Sequence, residues 1–216
     1  MDSQIKKIML FTLSACPLGR SMGTVLREVI RIFEKIELET VFIDVQTEMT
    51  NFYRVKKNPT TIFIDDSGNE KYRVQEFLET EHVINLLEQI NQGESERREI
   101  EENRESEERY TIYLFQNEEI VPIKVIYTNL TSVRAPRITA IKLLLAAQYD
   151  GFMNPFPASA ELDLVLFKDK HGEIIIDMSE VDCCRAEREK MKRLLVKTLS
   201  HFGIEEVDIT ITNYNK

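Results

Sequence analysis

A chain of 216 residues, 43% of them hydrophobic, has material for one large core or for two of about 100 residues, and two domains fit the pattern better. Its formal charge of −9 argues against a nucleic-acid partner, because a phosphate backbone needs a concentrated basic face and the sequence offers none. No apolar run approaches the ~18 residues of a membrane-spanning helix. The three cysteines, Cys16 and the vicinal Cys183-Cys184, form neither a disulfide framework nor a spaced metal-ligand set, which points to a reducing, cytoplasmic compartment.

The first half opens on an apolar strand, Ile8 to Leu13, that runs into Ser14-Ala15-Cys16-Pro17-Leu18-Gly19. Met22, Leu26, Val29, Ile30 and Phe33 then recur at helical spacing, so an amphipathic helix is expected from Gly19 to Ile36, with Pro17 suited to its first turn. This places Cys16 at a helix N-terminus, where unpaired N–H groups and the macrodipole favour an anion. It is where a chain puts a reactive thiol. Thr40 to Val45 reads as a buried strand, and Gln46 to Val55 as a short helix. Thr60 to Ile64 is a third strand, Asp65 to Asn69 a turn, Lys71 to Phe77 a fourth strand and Glu79 to Ile90 a last helix.

The resulting order is β-α-β-α-β-β-α, with Cys16-Pro17 opening the first helix and Asn58-Pro59-Thr60-Thr61 leading into the hairpin. In these features residues 5 to 92 resemble the thioredoxin and glutaredoxin superfamily. The resemblance implies that Pro59 is cis and faces Cys16, making these two the candidate site residues. It also implies an activity that the rest of the motif does not support. The family's second, resolving cysteine is here Gly19, its tryptophan before the nucleophile is Ala15, and Leu10 stands near its buried aspartate. Dithiol reduction needs a second thiol to release the mixed disulfide, and this motif has none. A monothiol route through glutathione or another low-molecular-weight thiol stays open, although the family's glutathione-binding signals, a Thr-Val before the cis proline and a later Gly-Gly, are absent.

A rival reading starts from the same cysteine. Lys6-Lys7, the apolar stretch from Ile8 and Leu13-Ser14-Ala15-Cys16 look like the signal and lipobox of a bacterial lipoprotein, which would make Cys16 a lipid anchor at the cell envelope. The apolar stretch is short for that purpose, and the residues after Cys16 are patterned as a helix rather than a polar tether.

Between Glu94 and Arg109 only Ile100 is apolar, so the run has no face with which to pack, and residues 93–109 are expected to be a charged linker. Beyond it, Tyr110 to Phe115 and Ile120 to Tyr127 read as strands across the turn Gln116 to Glu119, and Arg137 to Gln148 as a helix. Ala160 to Phe167 and Glu173 to Met178 form a second hairpin across Lys168 to Gly172; Arg185 to Phe202 is a helix that Gly203 ends, and Val207 to Thr212 a final strand. The order β-β-α-β-β-α-β suggests an α+β domain with helices on a mixed sheet over residues 110–216. Val121-Pro122-Ile123, the helix segment Ala140 to Ala146, the loop Gly151 to Pro157, Leu162 and Ile176-Asp177-Met178-Ser179 resemble the GerMN domain of bacterial spore and envelope proteins. That resemblance implies a non-enzymatic assembly or ligand-binding module.

Other chemistry is sparse. His82, His171 and His201 fall on a helix start, a hairpin turn and a helix end, where solvated or capping roles are expected. Asp177 suits capping of the Ser179 loop, and Cys183-Cys184 suits a helix start. The sequence carries no signal for a cofactor or a metal. The expectation is a two-domain bacterial binding or assembly protein with a protein or peptide partner, with a monothiol thiol-disulfide oxidoreductase acting through Cys16 as the alternative and a lipid-anchored envelope protein as a further one.

Overall fold

The structure is a computed structural model that describes residues 4–92, 106–178 and 184–212. It divides into two compact units, Met1–Ser106 with Leu130–Val133, and Glu107–Asn129 with Arg134–Lys216.

Unit 1 runs β1 (Ile5–Thr12), α1 (Pro17–Ile32), β2 (Glu37–Phe42), α2 (Thr47–Phe52), β3 (Thr60–Asp65), β4 (Glu70–Val74) and α3 (Thr80–Asn91). Its sheet has the order β2-β1-β3-β4, with β1 parallel to β2 and antiparallel to β3, and β3 antiparallel to β4. The two central strands are buried nearly throughout, which is why they read as continuous apolar runs rather than alternations. Successive side chains serve opposite faces. Ile8, Leu10 and Phe63 join Met22, Leu26 and Val29 of α1 and Val83 and Leu87 of α3 in one core cluster. Phe11 on the other face meets the Tyr53 ring at 5.5 Å. The Asp65–Asn69 turn is closed by the Asp65 carboxylate, whose Oδ1 accepts from the N–H groups of Ser67 (2.9 Å) and Asn69 (2.8 Å).

Unit 2 runs β5 (Ser106–Gln116), β6 (Glu119–Asn129), α4 (Pro136–Ala146), β7 (Glu161–Lys168), β8 (His171–Asp177), α5 (Arg185–Leu199), a 3-10 turn (Ser200–Phe202) and β9 (Glu206–Thr212). The expected single mixed sheet is instead two sheets, a two-stranded β5-β6 and a three-stranded β7-β8-β9. The bridge from Phe115 to Met153, with N–H···O distances of 3.1 and 2.8 Å, ties β5 to the loop after α4. Pro122 lacks an N–H, so β6 suits a strand with one neighbour. The helix expected through Gln148 stops at Ala146, where Asn154 Nδ2 donates to the carbonyls of Leu144 (2.8 Å) and Ala147 (3.0 Å). These are end-of-helix acceptors beyond the α-helical ladder, and Leu144 O also accepts from Ala147 N at 3.2 Å. Gly203 comes after the last turn at φ 76°, a left-handed position that suits glycine.

The end of the charged run departs most from the sequence reading. Residues 93–105 lie outside the described residues, but Ser106 to Arg109 are the first residues of β5 rather than linker. Glu108 accounts for this: it accepts from the Tyr110 hydroxyl and from Asn129 Nδ2 at 2.8 Å. Burial and the Glu108 carboxylate together hold the Tyr110 hydroxyl well above the ordinary tyrosine range.

Candidate functional site

The β1–α1 junction presents Cys16. Leu13 O accepts from Cys16 N at 3.1 Å, closing a turn, and Cys16 O accepts from Arg20 N at 3.1 Å, opening the helix. Cys16 is therefore the residue before the first helical position, extended at φ −90° and ψ 117°, with Pro17 next. Pro17 forfeits an N–H that has no intrahelical acceptor at this position, and its ring presets φ for the helix. The thiol makes no capping bond and is partly exposed. The loop carrying it is anchored to the loop after β2 by Asp44, which accepts from Ser14 N at 3.0 Å and Ser14 Oγ at 2.7 Å.

The second half of the site comes from the segment before β3. The Asn58–Pro59 peptide is cis. The Asn58 side chain joins this segment to the cysteine loop: Oδ1 accepts from Leu13 N at 3.1 Å and Thr12 Oγ1 at 3.0 Å, while Nδ2 donates to Cys16 Sγ at 3.3 Å. A backbone N–H can only donate, so Leu13 fixes which end of the amide is oxygen and turns the NH2 group toward sulfur. The segment is braced from β4. Arg73 is held by both Glu70 carboxylate oxygens (2.8 and 2.7 Å) and donates to the carbonyls of Tyr53 (2.6 Å) and Arg54 (3.2 Å), the latter a residue at φ 49°. Such a bidentate pair fixes direction as well as distance.

The departures from the two-thiol motif are built into the packing. Gly19 faces the side chain of Thr12 at the end of β1. A Cβ at position 19 would lie 1.7 Å from Thr12 Oγ1 and 2.6 Å from Thr12 Cβ, so α1 sits where only a glycine lets it sit. Ala15 and Leu10 are both buried, and Leu10 belongs to the core cluster of α1 and α3. No carboxylate occupies that position.

Of the remaining candidates, His171 lies 3.3 Å from Asp208 and 3.7 Å from Glu206, and His201 stacks on Tyr113 with its Nε2 3.1 Å from the phenol oxygen. Asp177 Oδ1 is buried without a hydrogen-bond partner among the described residues. Ser179 and Cys183 lie outside the described residues. Cys184 starts α5, its sulfur accepting from the Glu187 backbone while Glu187 Oε2 accepts from Cys184 N at 3.0 Å. Among the described residues no group of three or more His, Cys, Asp or Glu side chains could hold a metal ion, and no helix is long and apolar enough to cross a membrane.

Sequence reasoning singled out Cys16 and Pro59 but missed Asn58, Thr12 and Asp44, which organise the loops around them. The only local signals were a polar residue ahead of a proline and a polar residue at the end of each of two apolar strands.

No protein-family model and no curated protein matches the chain. Among solved structures it is similar to a thioredoxin-2 described as a component of malaria parasite protein secretion machinery, at 20% identity over 41% of this chain and 85% of that one, TM-score 0.37. Chloroplastic thioredoxin z is similar at 21% identity over 40% and 79%, TM-score 0.37, and thioredoxin 1 of Thermosipho africanus at 23% over 38% and 91%, TM-score 0.35. For unit 1, "thioredoxin-like" describes the fold and rests on its β-α-β-α-β-β-α order, the cysteine at the start of α1 and the cis Pro59 before β3.

Proposed function

We propose that the chain is a bacterial binding or assembly protein. Its thioredoxin-like unit offers the Cys16 and Pro59 loops to an extended protein or peptide segment, and its second unit serves as a GerMN-like module. The observation that carries this reading is the packing of Gly19 against Thr12, which leaves no room for a side chain at the resolving position. A target captured as a mixed disulfide on Cys16 meets no second thiol there to release it. What remains usable is the shape of the two loops, held rigid by Asn58, Asp44 and Arg73.

A second reading, a monothiol oxidoreductase, draws on the partly exposed Cys16 sulfur oriented by Asn58 Nδ2. In that case glutathione or another low-molecular-weight thiol supplies the releasing thiolate. One comparison separates the two: insulin-disulfide reduction and glutathione-dependent reduction of a small mixed disulfide, each run with the wild type and Cys16→Ser. The binding reading expects no difference between the two proteins. It also expects extended peptides selected from a display library on the full chain to bind Cys16→Ser unchanged and to lose affinity on Pro59→Ala. Turnover by the wild type that disappears in Cys16→Ser would overturn it in favour of the monothiol enzyme.

A further inference from the structure

We infer that unit 2 is a self-association module: two copies of the chain pair through the outer edge of β9, antiparallel and centred on Ile209, joining their three-stranded sheets into one. Among the described residues β9 has a single partner strand, the parallel β8, and its other edge carries no strand. Glu206 N donates to Lys170 O on the β8 side, and Thr212 O accepts from Met178 N on the same side. In a strand the N–H and C=O of one residue point the same way and alternate along the chain. The even-numbered residues of β9 therefore face β8, and the N–H and C=O groups of Val207, Ile209 and Ile211 face outward.

That outward set fits its own copy. With a two-fold axis at Ile209, Ile209 meets Ile209 of the second copy and Val207 meets Ile211, each pair exchanging both backbone hydrogen bonds. Between them, on the opposite face, Asp208 stands against Thr210 and Glu206 against Thr212. No acid opposes an acid, so the register avoids the like-charge pairing that destabilises cross-strand neighbours. The edge is also reachable. An open groove of about 660 Å³ runs beside it, lined by Arg185, Arg188, Glu189 and Lys192 of α5 with Asp208 and Ile209 of β9. The Lys192–Asp208 ion pair that crosses it at 3.3 Å is solvent-exposed and opens at little cost. Both signs of charge line the groove, so a second copy does not meet a single-sign field there.

The other edge of the sheet lacks these properties. β7 carries a register shift between Leu162 and Leu164, one of the devices that blunts an edge, whereas the pairing of β9 along β8 is unbroken over all 7 residues.

Light scattering on the full chain during gel filtration, over a range of concentrations, tests the proposal with two substitutions at the exposed Thr210. Thr210→Asp sets a carboxylate against Asp208 of the second copy, and Thr210→Lys sets an ammonium there, each twice by symmetry. The wild type is expected to be a dimer. Thr210→Asp should weaken it roughly tenfold in dissociation constant and Thr210→Lys should tighten it by a similar factor that fades with added salt. A general effect on folding would move both variants the same way, and thermal unfolding monitors it. A chain that stays monomeric throughout, or a dimer indifferent to both substitutions, overturns the proposal.

Discussion

Two helices among the described residues begin on a cysteine, α1 at Cys16 and α5 at Cys184, and their surroundings have little else in common. Cys184 is exposed, and its sulfur and Glu187 satisfy each other's backbone N–H groups in a capping box. Its role is spent within one helical turn. Cys16 makes no such bond; it is half-sheltered between two loops and addressed by an amide 42 residues away in sequence. The same position in a helix thus yields a cap in one unit and a presented thiol in the other. The difference lies in tertiary partners, not in the helix end that both share.

The most severe test of this contrast is Gly19→Cys, which on paper restores a resolving thiol to the Cys16 helix. Its Cβ would meet Thr12 at 1.7 Å, so unit 1 should lose about 3 kcal/mol, read by denaturant unfolding. Adding Thr12→Ala removes the hydroxyl but leaves Thr12's Cβ position at 2.6 Å, so rescue should be only partial. Wild-type stability in Gly19→Cys would show that α1 can lift away from β1 and that the thiol site is not closed by packing.

Asn58→Leu should come next. It strips the acceptor from Leu13 N–H and leaves that donor unpaired beside the cis peptide, while Thr12 Oγ1 keeps Leu13 O as an acceptor at 3.3 Å, for a cost of about 2 kcal/mol. Hydrogen exchange gives the local readout: the Leu13 amide should lose protection, while amides in the first turn of α5 keep theirs. Unchanged exchange at Leu13 would mean that Asn58 does not hold the two loops together.

Much of unit 1 was legible because its strands and helices differ in period, and because Cys16-Pro17 and Asn58-Pro59 mark element boundaries chemically. What brings those boundaries together was not. Nothing local to Gly19 distinguishes a lost thiol from a close approach of helix to strand, since the reason for glycine is Thr12, a turn of loop away. In unit 2 the charged run concealed the start of β5 because Glu108 is satisfied by Asn129 on the neighbouring strand as well as by nearby Tyr110. Element order was readable there, yet the division into two sheets depends on which strands pair, and apolar alternation does not encode that choice.

The mildest prediction probes the other cysteine. Glu187→Ala removes the acceptor for Cys184 N–H and the acidic group in the first turn of α5, where it also meets the positive end of the helix. The expected loss is about 1 kcal/mol, at the level of a single cap. Cys184→Ser keeps an acceptor for the Glu187 backbone N–H, so its stability should stay within a few tenths of a kcal/mol of the wild type. If Cys184→Ser costs as much as Glu187→Ala, the sulfur contributes something a hydroxyl cannot. If neither change registers, α5 is held by Met191, Leu194, Leu195 and Leu199 in the core, and its first turn is free to carry a cysteine without using it.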